Sequence, residues 1–376
     1  MGNTCFRGED EEEGGQRRER YPYYQPQYHS YSGGGGDPPP APRRHQQGLA
    51  AAAGPHGLAS DPNIGHQQRS NGVPNSRVVA TSQYQSNTED IDESSAEGLC
   101  SAKSYAKANQ LLIQVSVLGT TKKFWRLSDN ATRISRKLVL ILRSHHAVGK
   151  HLAAPLQVSN VWIGAAAGGG SVKLRGVSFT AKGFGVDRVR DDYRHLSRVL
   201  LAILRASAGG GHAAVASRLP PDYRDFLALL GSDTLSMDDE FLIVNNAALL
   251  PMKNRTEAFL MLHDRIVKHL GRTDRAKKKR ILAGLPYEDD WLETARANAT
   301  INQWVVNVQH HEYRRTQSDQ LRLNRNVRSH LHEYGDDGGR VEEALYCEWP
   351  ELLMAMVKLL HLEGELEDTD IENKFG

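Results

Sequence analysis

Cysteine is scarce in this chain: Cys5, Cys100 and Cys347 are the three among 376 residues. They are odd in number and too far apart for a metal cluster or a disulfide framework, which points to a reducing compartment. Long apolar runs are missing as well. No stretch of about eighteen apolar residues occurs and no charged-then-apolar leader is present, which argues against secretion and against a membrane span. Excess charge of one sign is also absent. The formal net charge is +2, so any basic surface for nucleic acid has to be local. Hydrophobic residues make up 39% of the chain, and the shortfall lies mostly toward the N-terminus.

The first 105 residues carry that shortfall: acidic Glu9 to Glu13, tyrosines mixed with proline and glutamine, Gly33 to Gly36 and Pro38 to Pro40. Such a stretch cannot bury enough apolar surface to offset its ordering entropy, so residues 1–105 are expected to be a disordered tail. Met1-Gly2-Asn3-Thr4-Cys5 resembles the acylated start of plant calcium-dependent protein kinases, with Phe6 departing from the usual serine or threonine. The resemblance implies myristate on Gly2 and palmitate on Cys5. One acyl chain holds a membrane only marginally and two hold it durably. The expected location is therefore cytoplasmic, with a lipid tether to a membrane surface.

From residue 106 to 248 apolar runs alternate with glycine and polar breaks, as in a folded domain. Ile134, Leu138, Ile141 and Leu142 mark one face of a helix over Arg133 to Arg143. Two short strands, within Leu156 to Ile163 and at Val172 to Leu174, flank a glycine-rich turn. A second helix opens at Pro220-Pro221 and runs through Leu230. His145-His146 and Gly183-Phe184-Gly185 lack the context of a metal or phosphate site and are read as surface or packing residues.

The order of these parts resembles a protein kinase C-lobe, with Asn160 at the asparagine that ends the catalytic loop. Counting back, the catalytic aspartate falls on Pro155 and the neighbouring lysine on Gln157. Gly176-Val177-Ser178 stands where the metal-binding Asp-Phe-Gly belongs. The resemblance thus implies a truncated scaffold without phosphoryl transfer, and ATP binding is not expected. Asp191 or Asp192 would keep one structural duty, holding the loop by backbone hydrogen bonds. The competing reading is an unrelated helical domain.

The C-terminal third has a denser pattern. Asn254 to Leu260 open a helix through Ile266, a basic run follows at Lys277, Lys278, Lys279 and Arg280, and Tyr313 precedes a polar helix. In that helix Leu323, Val327 and Leu331 form an apolar stripe, with Ser318 or Asp319 as N-cap. At roughly 100° per residue, Asp319, Asn326 and His330 fall within about 40° of one another, flanked by Arg322. An acid, an amide and an imidazole beside arginines can hold phosphate and move a proton, although a solvated polar face is the commoner meaning of such a pattern.

Arg325-Asn326, His330 four residues after the asparagine and Asp319 six before the arginine resemble the kinase-extension nuclease (KEN) domain of the ribonuclease L and inositol-requiring kinase/ribonuclease family. Trp349-Pro350 and the apolar helix after it match the family's ending. Tyr313 stands twelve residues before Arg325, where the family's tyrosine stands thirteen before. The fold this implies is mainly α: a truncated kinase-like C-lobe (106–248), an all-helical KEN ribonuclease domain (249–362) and an acidic tail (363–376).

The implied activity is metal-independent endoribonuclease cleavage of structured RNA loops by a homodimer, with no cofactor. His330 would be the general acid and Tyr313 the candidate base, with Arg325 and Asn326 holding the phosphate. Asp319 and Arg322 would support them, and Lys277 to Arg280 would contact RNA. The alternative is a catalytically silent KEN and pseudokinase protein that serves interaction or dimerisation.

Overall fold

A computed structural model describes residues 98–164, 171–209, 215–288, 290–306 and 312–376. The described residues are mainly helical. Order begins earlier than the composition suggests. β1 (Leu99–Ser101) leads directly into α1 (Ala102–Ala108), where Ser101 Oγ accepts the Ser104 N–H at 3.2 Å and Ala102, Tyr105 and Ala106 are buried. That i, i+3, i+4 spacing gives a one-sided helix, so the folded region starts before residue 106. The rest of the expected tail, with Gly2 and Cys5, lies outside the described residues.

β2 (Leu112–Ser116) and β3 (Lys123–Leu127) form an antiparallel hairpin. α2 (Asp129–His146) follows, capped by Ser128 Oγ, and its buried stripe contains Ile134, Leu138, Ile141 and Leu142. It is longer at both ends than the periodicity predicts, because the serine cap and acidic Asp129 extend its start. β4 (His151–Leu152) pairs with β7 (Phe179–Thr180). β5 (Val161–Gly164) and β6 (Val172–Leu174) form the expected hairpin, and β1 completes an antiparallel three-stranded sheet in the order β1-β5-β6. Asn160 closes the loop ahead of β5: its Oδ1 accepts the Gln157 N–H at 2.9 Å, and its Nδ2 donates to Arg175 O at 3.0 Å.

α3 (Val186–Ala208) packs on α2 through Tyr193, Leu196 and Leu200. Here Asp192, rather than Asp191, turns inward. Its Oδ2 accepts the Leu152 N–H at 2.9 Å and lies 3.0 Å from His146 Nε2. His146 Nδ1 is 2.6 Å from Glu240 Oε1, to which Tyr193 also donates at 2.7 Å. Neither histidine of the pair is a surface residue: His146 joins a buried acid pair and His145 stacks on Phe179. Phe184 packs beside His146 and His151, as a packing residue should.

α4 (Pro221–Leu230), with proline in its first turn, and α5 (Asp239–Val244) complete this half. α6 (Arg255–Asp264) continues through a π-helical turn (Arg265–His269) into α7 (Leu270–Thr273) and then α8 (Arg275–Gly284). α9 (Trp291–Ala297), α10 (Ala299–Val306), α11 (Gln317–Ser329), a 3-10 segment (Leu331–Asp337), α12 (Gly338–Glu348) and α13 (Leu352–Leu362) follow.

One large core runs from Ala102 to Phe375 across both expected halves, and the described residues fall within one compact unit. A smaller core of Trp291, Ile301, Tyr313, Leu323, Val327 and Leu345 lies in the C-terminal third. The acidic ending is packed rather than free. Leu366 and Ile371 are fully buried, and Glu365 meets Arg265 and Lys277 at 2.5 Å each. No helix among the described residues is long and apolar enough to cross a membrane.

Candidate active site

Thr316, one residue before α11, caps that helix by accepting the Asp319 N–H at 3.2 Å. Neither Ser318 nor Asp319 is the cap, because both already lie inside the helix. Asp319 is instead free to reach back, where its carboxylate accepts the Arg314 N–H at 2.7 Å and meets Arg322 Nε at 3.2 Å.

The helix sits between the two cores. Leu323 and Val327 enter the smaller core and Leu321 the larger one. Burying each such side chain is worth about 1.5–3 kcal/mol. A second buried stripe, polar in sequence, runs through Gln320, Asn324 and Arg328. Arg328 lies 2.7 Å from Glu342, donates to Asn324 Oδ1 at 2.7 Å and covers the Phe259 ring at 4.1 Å. Phe259 and Glu342 come from α6 and α12, so α11 is clamped on two sides and only its remaining face is left for chemistry.

That face ends at His330. Its backbone leaves helical geometry there, and its N–H still bonds to Val327 O at 3.1 Å. The imidazole therefore stands at the C-terminal end of the helix. It is half-exposed, and Nδ1 lies 2.7 Å from Glu333 Oε1. An Nδ1–H held by that carboxylate leaves Nε2 as the exchanging nitrogen.

Tyr313 precedes the helix and is buried. Its hydroxyl accepts from Asn326 Nδ2 at 3.0 Å, the Arg322 guanidinium covers its ring at 4.4 Å, and Trp291 meets it edge-on at 6.4 Å. Burial pushes the phenol up from its ordinary value of 10.0, against the opposing pull of the Asn326 hydrogen bond and the Arg322 charge. Asn326 Oδ1 in turn accepts from Arg325 at 3.3 Å.

Tyr313, Asn326 and His330 line one cleft of about 550 Å³, together with Gln303, Trp304, Glu333 and Tyr334. Arg325 reaches it through Asn326, while Asp319 and Arg322 stand behind Tyr313. The fold thus gathers an imidazole with an oriented tautomer, a protonated phenol and an amide donor around a space large enough for a nucleotide. Such a set can donate and accept protons at a phosphate. Among the described residues no group of three or more His, Cys, Asp or Glu side chains could hold a metal ion.

The basic run does not join this site. Lys277 and Arg280 on α8 are paired with Glu365 and Glu363, the latter at 2.6 Å. Lys278 donates to Val267 O at 3.3 Å, and Lys279 is exposed. The run is therefore a clasp for the packed C-terminal segment rather than an open cationic patch, a pairing that sequence distance hides. Glu333, Trp304 and Tyr334 are cleft residues that the sequence reading missed. Only Glu333 had a local signal, its i+3 position relative to His330. Comparisons with family models and with curated proteins gave no match.

Proposed function

We propose that this chain is an endoribonuclease of the KEN type, built on a kinase-like scaffold that has lost phosphoryl transfer. The observation that carries the reading is the shared cleft of Tyr313, Asn326 and His330, with Asn326 bonded directly to the tyrosine hydroxyl at 3.0 Å. A silent interaction module has no need to bring these groups, thirteen and four residues apart along the chain, to one open space.

The reaction is attack of a ribose 2′-hydroxyl on the adjacent phosphorus. The bond to the 5′-oxygen breaks, leaving a cyclic phosphate and a free 5′-hydroxyl. His330 Nε2–H gives its proton to the departing 5′-oxygen. Burial keeps the Tyr313 phenol protonated at rest, so it acts as a relay: as its oxygen takes the 2′-proton its own hydroxyl proton passes to a non-bridging phosphate oxygen, and the phenol ends the step protonated. Asn326 and Arg325 steady the developing negative charge.

Support for the scaffold comes from Asp192, whose carboxylate holds the Leu152 N–H ahead of the Asn160 loop, and from the β5–β6 hairpin after it. Pro155, Gln157 and Gly176 offer none of the charges that magnesium and ATP chemistry require. A homodimer gripping a structured RNA loop completes the proposal. The test is purified protein at rising concentration with a labelled stem-loop RNA, with and without chelator. Cleavage is expected to rise more steeply than linearly with protein, to ignore the chelator, and to fall at least 100-fold (on the order of a lost general acid) in His330→Ala. Equal cleavage by His330→Ala would leave only the scaffold reading.

A further inference from the structure

We infer that Trp304 is a stacking platform for an unpaired nucleobase next to the scissile phosphate, so that the cleft selects RNA that is single-stranded at the cleavage step. The inference rests on the endoribonuclease reading above. Trp304 sits on α10, half-buried, and lines the cleft with His330 and Tyr313. Its Nε1–H donates to the Tyr334 hydroxyl, which locks the indole plane. Its ring centre is 5.1 Å from that of His330 at an interplanar angle of 41°, and 6.4 Å from that of Tyr334.

The other tryptophans are used differently. Trp291 is fully buried, Trp349 packs on the core, and Trp125 and Trp162 each stack against an arginine, at 4.9 and 5.2 Å. Trp304 is held by its edge within one ring's distance of the proposed acid. If a phosphate lies between Tyr313, Asn326 and His330, a neighbouring base falls within reach of that indole. In a duplex each base is already stacked on both faces and has none free for a side chain, whereas a loop base can be splayed onto it. An aromatic plane discriminates little between bases, since each has a π face. The selection it imposes is therefore for unpaired over paired nucleotides.

The experiment separates binding from cleavage. A stem-loop carrying 2′-O-methyl groups throughout its loop has no attacking hydroxyl, and its affinity is measured against that of a fully paired duplex of equal length. Trp304→Leu is expected to weaken loop binding by about 5- to 150-fold, the range for loss of one base stack, with duplex binding unchanged. Trp304→Phe should retain most of the affinity, which also checks that the fold is intact. Removing the base at one loop position should cost the wild type a similar factor and cost Trp304→Leu nothing. Equal loop binding by wild type and Trp304→Leu overturns the inference, and so does an equal abasic penalty in both. Cleavage of the unmodified loop is scored separately. Cleavage with Trp304-independent binding removes the platform and keeps the nuclease. Trp304-dependent loop binding without cleavage keeps the platform and removes the nuclease.

Discussion

His330 and Glu333 show how one side chain can set the chemistry of another. Glu333 touches only the Nδ1 side of the imidazole, at 2.7 Å, so its contribution is to orient the ring and fix the tautomer. Glu333→Gln keeps the shape and loses the charge. It is expected to lower kcat by about 10- to 100-fold, part of the range for general acid catalysis, while leaving KM for the stem-loop within a factor of about three. Glu333→Asp should recover part of the loss if orientation is the cause. A Glu333→Gln chain with unchanged kcat, or one whose loss lies wholly in KM, would remove the positioning role. Tyr313 makes the same point from the opposite direction. Its hydroxyl is held by Asn326, a pairing that the twelve-residue spacing to Arg325 does not reveal.

Among the elements, α2 and α3 are joined by a buried network that the sequence did not announce. His146 lies between Asp192 and Glu240. Although burial alone would pull its imidazole down, the hydrogen bonds and charges of the two carboxylates hold it above the ordinary 6.5. Tyr193 and, more distantly, Arg143, His145 and Lys150 also face this cluster. A histidine raised in the folded state adds stability that is fully present below the unfolded value. That stability is lost as pH rises through the folded one. The wild type is therefore expected to lose stability as pH increases from about 6.5 upward, while His146→Gln, less stable throughout, loses this slope. Denaturant melts at several pH values check it, and parallel curves for the two proteins would refute the linkage.

Across the whole molecule, the β2–β3 hairpin joins the N-terminal half to the site. Gly119 at its tip has φ +81°, and its carbonyl accepts the Ala299 N–H at 2.8 Å. Asn298 Nδ2 donates to Leu118 O at 2.9 Å. Lys122 and Arg126 pair with Glu348 and Glu343 on α12. A methyl group at Gly119 would run into Asn298 and Thr300 at the start of α10, the helix that carries Trp304. Gly119→Ala is expected to cost about 1–3 kcal/mol of stability and to weaken loop binding, with helix content unchanged by circular dichroism. Wild-type loop affinity in that variant would show that the hairpin does not set the cleft.

What was readable from the chain alone was local: the apolar stripes of α2 and α11, the proline opening α4, the β5–β6 hairpin, and a helix bearing Asn326 with His330 at its end. Each follows from a period or a cap within a few residues, which the backbone enforces wherever it is placed. Tertiary structure decided which polar residues became core and which became site. Arg328 and His146 are buried because partners from other helices neutralise them, and Lys277 and Arg280 are occupied by acids some 80 residues away. Tyr313, Trp304 and His330 share a cleft because α11 is clamped between two cores. Those pairings depend on how helices pack across long sequence separations, and a charge or an aromatic ring reads the same in sequence whether its partner is a neighbouring helix or water.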